Sequence, residues 1–286
     1  MKWCHIYAQG EVHLGAQTTA GLVDLTATAA RRGMPCPADL QALIAAGREG
    51  IRQAEALLSG KPMVWAREVK FAPAVLRPGK ILCVGLNYPS HTAEFTMETP
   101  EQPVLFSKFS NALAAHDQDI PFPPRAQRLD YEAELVVVVG KGGKDLSEEE
   151  AAAHIFGYTA GNDVSERVLQ FQSSQWMMGK TWDHFAPVGP YVVTADEIGD
   201  AGLEIACRVN GEVRQRANTR DMLFSPARVL SYVSRYLTLE AGDLLFTGTP
   251  GGVMQGYPPE RQHWLQPGDV VEVSIERIGT LRSRFV

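Results

Sequence analysis

The sequence predicts a β-rich α+β fold, with a small N-terminal α/β domain over residues 1–70 and a β-rich domain over 73–286. Short apolar runs of strand length recur between Gly, Pro and Asp turns throughout the second part. Helix-like stretches among them are too few to alternate with the strands, which excludes a doubly wound nucleotide fold. A long helical stripe sits instead in the first part.

Taken in order, "AGLVDLT" reads as a strand ending at a turn, and "PADLQALIAAGREGIRQAEALLSGKP" as one amphipathic helix. Leu40, Leu43, Ile44, Ile51, Ala54 and Leu58 form its apolar stripe, Gly60 supplies the stop and Pro62 follows. That pattern implies packing, not chemistry. After "FAPAVLRPGK" come the strand-like runs "KILCVGLNY", "ELVVVVG", "HIFGYTAGND", "GPYVVT", "LEIACRVNGEV", "DLLFTGTP" and "DVVEVSIERIG". Ser147 with Glu150 predicts a capping box opening the short helix "EEEAAAH". "RVLQFQSSQWM" and "SPARVLSYVSRYLTL" read as further helices.

Apolar residues make up 45% and charged ones 21%, as in ordinary globular chains. A formal charge of −6 with no Lys/Arg cluster excludes a general nucleic-acid surface. Cys4, Cys36, Cys83 and Cys207 are scattered, with no zinc spacing or disulfide framework. No segment has the length and hydrophobicity of a membrane span, and a cytoplasmic place is expected.

The stretch "RLDYEAELVVVVG" asks why a buried strand should open with alternating acids. Glu132 and Glu134 fall on one strand face, with Asp130 continuing the alternation. Like charges at such a mouth need either water or a cation between them. A hard dication takes a few carboxylates and leaves positions to substrate, and Asp163 in "GYTAGNDVSER" is the best third ligand. A solvated strand end and an Asx-turn remain the alternatives.

In "GLNYPSHTAEF", His91 and Glu94 are three apart at the start of a helical turn, so a carboxylate can hold the imidazole as a general base. For H-x-x-E alone an ordinary acidic helix start is the preferred reading. Lys180 in "WMMGKTWDHFAP" is an ammonium among apolar residues, suited to a developing oxyanion or to a plain ion pair with Asp183. Thr249 in "LLFTGTPGGV" lies in a loop that lacks a phosphate-loop lysine; it reads first as a plain tight turn, and otherwise as a holder of a small carboxylate.

Together "GLNYPSHTAE", "DYEAEL", "GYTAGNDVSER", "GKTWDHFAPVGP", "VNGEVRQ" and "AGDLLFTGTPGGV" resemble, in that order, the fumarylacetoacetate hydrolase family. The resemblance implies a mixed β-sandwich roll and a homodimer. It implies that Glu132, Glu134 and Asp163 bind Mg²⁺ or Mn²⁺ and that His91 and Glu94 activate water. Lys180 would steady an oxyanion, Thr249 would contact the substrate, and Arg167 and Gln170 would stand near the metal. Ser90, Glu166 and His184 depart from the family pattern, and Ser90 and His184 are the two expected to reshape the pocket.

The resemblance implies hydrolytic C–C cleavage of a 2,4-dioxo acid, the alternatives being oxaloacetate-type decarboxylation, isomerisation or tautomerisation, and a non-catalytic metal-binding protein. Phe95, Met97, Trp176, Met177 and Tyr257 are candidates for the substrate tail, or simply core.

Overall fold

The computed structural model describes residues 1–60, 62–65, 69–94, 98–199 and 202–286. Phe95 and Met97 therefore lie outside the described residues. Among the described residues no helix is long and apolar enough to cross a membrane.

The predicted β-rich α+β fold is the observed one. An 11-stranded mixed sheet runs, in spatial order, Met63–Val64, Gly21–Asp24, Glu11–Thr18, Lys2–Ala8, Ala186–Thr194, Ile155–Asn162, Ala133–Val139, Leu244–Phe246, Ile81–Gly85 and Val104–Lys108, with Leu113–Ala114 beside Ala186–Thr194. The N-terminal strands extend this sheet through Lys2 opposite Val193 and Trp3 opposite Val192. A second, five-stranded sheet contains Glu212–Asn218, Glu204–Val209, Val270–Ile275, Gly279–Phe285 and Asp119–Ile120.

The two sheets face one another across a shared apolar core. Ala133, Leu135 and Ala160 from the first meet Ile205, Val271, Val273 and Leu281 from the second. Farther along the same strand, Val136 and Val138 join a core with the N-terminal helices, while Val137 and Val139 pack under the helix Pro226–Ser234. All seven residues of Ala133–Val139 are buried, which is why the sequence there is a solid apolar run. A strand so constrained gives its acidic mouth a rigid base.

Three local predictions change. The single helix expected over 37–62 is two, Leu40–Ala45 and Gly47–Leu58, because Gly47 takes a left-handed φ of 57° that breaks the ladder. The turn expected after "AGLVD" is a helix, Leu25–Arg32, capped by Asp24, whose side chain accepts from the Ala27 N–H. "RVLQFQSSQWM" yields only Arg167–Gln170 and, at its end, the start of Met177–Lys180. Between them the Ser173 hydroxyl accepts from the Gln175 amide, a local turn that competes with helix. The capping box at Ser147 and Glu150 forms as expected.

His5 ties the N-terminal helices to the sheet. Its Nδ1 faces the Pro73 carbonyl at 3.1 Å, and its Nε2 accepts from the Leu40 amide at 3.0 Å. That pattern requires the neutral ring, and burial pulls its pKa below the ordinary 6.5. The unfolded chain therefore takes up a proton that the folded His5 refuses. This site's contribution to stability is full above about pH 6.5 and declines below it. In pH-dependent melts, His5→Gln is expected to flatten that acid limb; an unchanged slope would count against this role.

Candidate active site

The antiparallel register assembles the acidic site. Ala133 pairs with Asn162, so Glu132 and Asp163 stand side by side just beyond the last paired residues. The Asp163 amide donates to the Glu132 carbonyl at 2.9 Å, and the Asn162 side chain accepts from the Glu132 amide at 2.9 Å. Glu132, Glu134 and Asp163 are all buried, and ligand atoms of the three lie within 4.8 Å of one another.

Cations surround two of these acids and leave out the third. Lys180 Nζ bridges Glu132 Oε2 at 2.8 Å and Asp163 Oδ2 at 2.9 Å, while Arg167 Nη1 sits 2.7 Å from Glu132 Oε1. Burial pushes the Glu132 carboxyl up, but Lys180 and Arg167 outweigh it and hold the group well below the usual carboxylate range. Burial likewise opposes the charge on Lys180, and Asp163 and Glu132 restore it, raising its pKa above the ordinary value.

Glu134 differs. Among the described residues no ammonium or guanidinium reaches ion-pair distance, and it accepts from the Gly248 amide at 2.7 Å. Burial, then Asp163 and Glu132, push its pKa well above the ordinary value. Three buried carboxyl groups, one without a counter-ion, form an oxygen donor set suited to a divalent cation. The residues present fit such an ion.

Lys180 does not pair with Asp183, which accepts from Asn111 instead. Sequence reasoning missed Lys108. Its buried Nζ lies 2.6 Å from Asp163 Oδ1 and donates to the carbonyls of Val164, Lys180 and Phe185. Burial pulls this ammonium below the ordinary lysine value, against the opposing pull of Asp163. The available signal was a lysine closing the strand "VLFSK". Lys108→Met leaves Asp163 and three carbonyls short of a donor, and is expected to cost about 3–5 kcal/mol. Denaturant melts would measure it.

A cavity lined among others by His91, Glu132, Arg167, Gln170, Lys180 and Thr249 reaches this cluster at Glu132. The helix Pro89–Glu94 brings His91 to its wall, with Nδ1 3.3 Å from Glu94 Oε2. Arg167 Nη1 also donates to Gln170 Oε1 at 2.8 Å, so the two expected residues form one unit. Thr249 donates its hydroxyl proton to the Ala133 carbonyl at 3.0 Å and accepts from Gln215 Nε2 at 2.8 Å. Gln215, the last residue of "VNGEVRQ", thereby pins the threonine from the second sheet.

Trp176 lines the cavity beside Phe106, whereas Met177 and Tyr257 are outside its lining. The departures also find places. Ser90 accepts from the Gly251 amide at 3.1 Å. Glu166 caps the helix bearing Arg167 and Gln170, accepting from Leu169 N at 2.7 Å. His184 is not part of the lining, and faces Gln118 and the Leu113 carbonyl.

The profile described as fumarylacetoacetate (FAA) hydrolase C-terminal matches residues 80–286. Oxaloacetate tautomerase FAHD2A, mitochondrial, from Bos taurus is 42% identical over 234 residues, spanning 81% of this chain and 74% of that protein. A fumarylacetoacetate hydrolase structure from psychrophilic Exiguobacterium antarcticum covers 100% of this chain and 99% of its own, at TM-score 0.86 and 35% identity. Fumarylpyruvate hydrolase from Pseudomonas aeruginosa, in complex with Mn²⁺ and pyruvate, covers 78% of this chain and 99% of its own, at TM-score 0.67 and 32% identity. With its mixed sheets, its buried acidic triad and a family match across residues 80–286, this chain belongs to the fumarylacetoacetate hydrolase family.

Proposed function

We propose that the chain is a divalent-metal-dependent enzyme acting on a short 2-oxo acid through its enolate, with keto–enol tautomerisation of an oxaloacetate-type acid as the first reading. The observation that carries it is the buried cluster of Glu132, Glu134 and Asp163, whose Glu132 lines one cavity with His91 and Lys180. The 42% identity to an oxaloacetate tautomerase supports taking tautomerisation as the first reading, where the sequence puts hydrolysis first. Mg²⁺ or Mn²⁺ held by the three carboxylates would supply a Lewis acid for the 2-oxo group.

The chain's own residues supply the rest. Glu94, against Nδ1, favours the tautomer in which Nε2 of His91 takes a proton. The imidazole moves a proton between the substrate's C3 and its enol oxygen, so atoms balance without a co-reactant. Lys180 offers a charge to the oxyanion, while Arg167 and Gln170 hold the carboxylate end and Thr249 turns its hydroxyl from Ala133 to join them. A homodimer is part of this proposal.

Hydrolysis of a 2,4-dioxo acid is the second reading, favoured by the imidazole–carboxylate pair, which also suits activation of water. Oxaloacetate and a set of acylpyruvates, each with Mn²⁺ or Mg²⁺, decide the matter by product analysis. Metal-dependent acceleration of enol loss, with exchange of C3 hydrogen, is the expected result. Pyruvate plus a second acid would favour hydrolysis. No metal-dependent turnover of any 2-oxo acid, with Mn²⁺ binding intact, would overturn both.

A further inference from the structure

The third acid of the "DYEAE" mouth does a different job from the other two. Asp130 is fully buried, yet it is not a member of the acidic triad. Its carboxylate accepts from Arg167 Nε at 2.9 Å, with Arg167 Nη2 2.8 Å away. The same group accepts from the amides of Met254 at 2.8 Å and Gln255 at 3.0 Å. Beside it, the Tyr131 hydroxyl donates to the Gly252 carbonyl at 3.0 Å. Two consecutive residues thus grip the loop 252–255 at three points.

That loop in turn holds the imidazole–carboxylate pair. The Gly252 amide donates to Glu94 Oε1 at 2.6 Å, leaving Oε2 to His91. Gly252 has a φ of +104°, and a Cβ there would lie 2.1 Å from the Arg214 carbonyl, so only glycine lets the backbone approach. On the other side, the Arg167 that Asp130 orients is the one on Glu132 and Gln170.

We propose that Asp130 and Tyr131 form one positioning clamp, joining the arm that holds Glu132 to the arm that holds Glu94 and His91. Neither residue lines the cavity. They act through Arg167 and the 252–255 loop, as hydrogen-bonding partners behind ligands and catalytic groups commonly do. The inference rests on the proposed use of His91 and Glu94, but its structural half can be measured without a substrate.

Tyr131→Phe removes one hydroxyl and keeps the ring packed. In hydrogen exchange on the full chain, it is expected to speed exchange of the 251–255 amides, with Mn²⁺ affinity within about two-fold of wild type. Turnover should fall about ten-fold with KM little changed. Asp130→Asn cuts both arms, so the same amides should exchange faster and Mn²⁺ affinity should drop about 10- to 100-fold.

The clamp is overturned if Tyr131→Phe leaves loop exchange at the wild-type level. It is equally overturned if that variant weakens Mn²⁺ binding as much as Asp130→Asn does. Should Asp130→Asn fail to fold, the tyrosine variant still decides. If wild type turns over no 2-oxo acid, the functional reading falls, while exchange and Mn²⁺ binding still judge the clamp.

Discussion

Chelated protein carrying Glu134→Gln is expected to melt higher than chelated wild type at pH 8, and to gain almost nothing from added Mn²⁺. The two halves have one cause. Without a cation, the Glu134 carboxyl is buried beside Asp163 and Glu132, and its folded pKa lies well above the ordinary 4.5. A carboxyl raised in this way favours folding fully below about pH 4.5 and loses that contribution as pH rises through its folded value. Glutamine has no proton to lose, and its oxygen can keep the Gly248 bond. A relief of about 1 kcal/mol corresponds to roughly 2–4 °C. Wild type at about 100 times its Kd for Mn²⁺ should gain about 2.7 kcal/mol, and the variant should lose most of that gain. Thermal melts at pH 5 and pH 8, with and without Mn²⁺, test both halves. A chelated variant that melts lower than wild type at both pH values would remove the argument for an uncompensated carboxyl.

His91→Asn should give the opposite pairing, with turnover of the 2-oxo acid down about 10²–10⁴-fold and the Mn²⁺-dependent gain in melting temperature retained. The imidazole is buried at the cavity wall and is not one of the three clustered acids. Losing it therefore removes the proton carrier and leaves the cation's ligands in place. Steady-state kinetics beside a Mn²⁺ titration separates the effects. Turnover within three-fold of wild type would show that the proton moves by another route.

The strand content, the paired glutamates and the third acid were legible in the sequence because each rests on a local pattern. Alternation placed Glu132 and Glu134 on one face, and a turn after a strand singled out Asp163. Lys108, Gln215 and the use of Asp130 were not legible in this way. Lys108 lies 55 positions before Asp163, and Gln215 lies 34 before Thr249. Their roles exist only because separate strands meet, and nothing in a flanking window records the acceptor a distant strand will present. The helix break at Gly47 was missed for a related reason. Apolar spacing runs on across it, since both helices face one core.

By itself the sequence determined the β-rich class, the apolar strand that bears the acids, and the set of residues from which a cation site can be drawn. Tertiary structure alone decided how those charges are shared. Antiparallel register sets Glu132 beside Asp163, Lys180 and Arg167 crowd around the first glutamate, and Glu134 is left to a backbone amide. The physical reason is range. Strand periodicity acts between neighbours in the chain, whereas Coulomb interactions and desolvation depend on distances that only the folded packing sets.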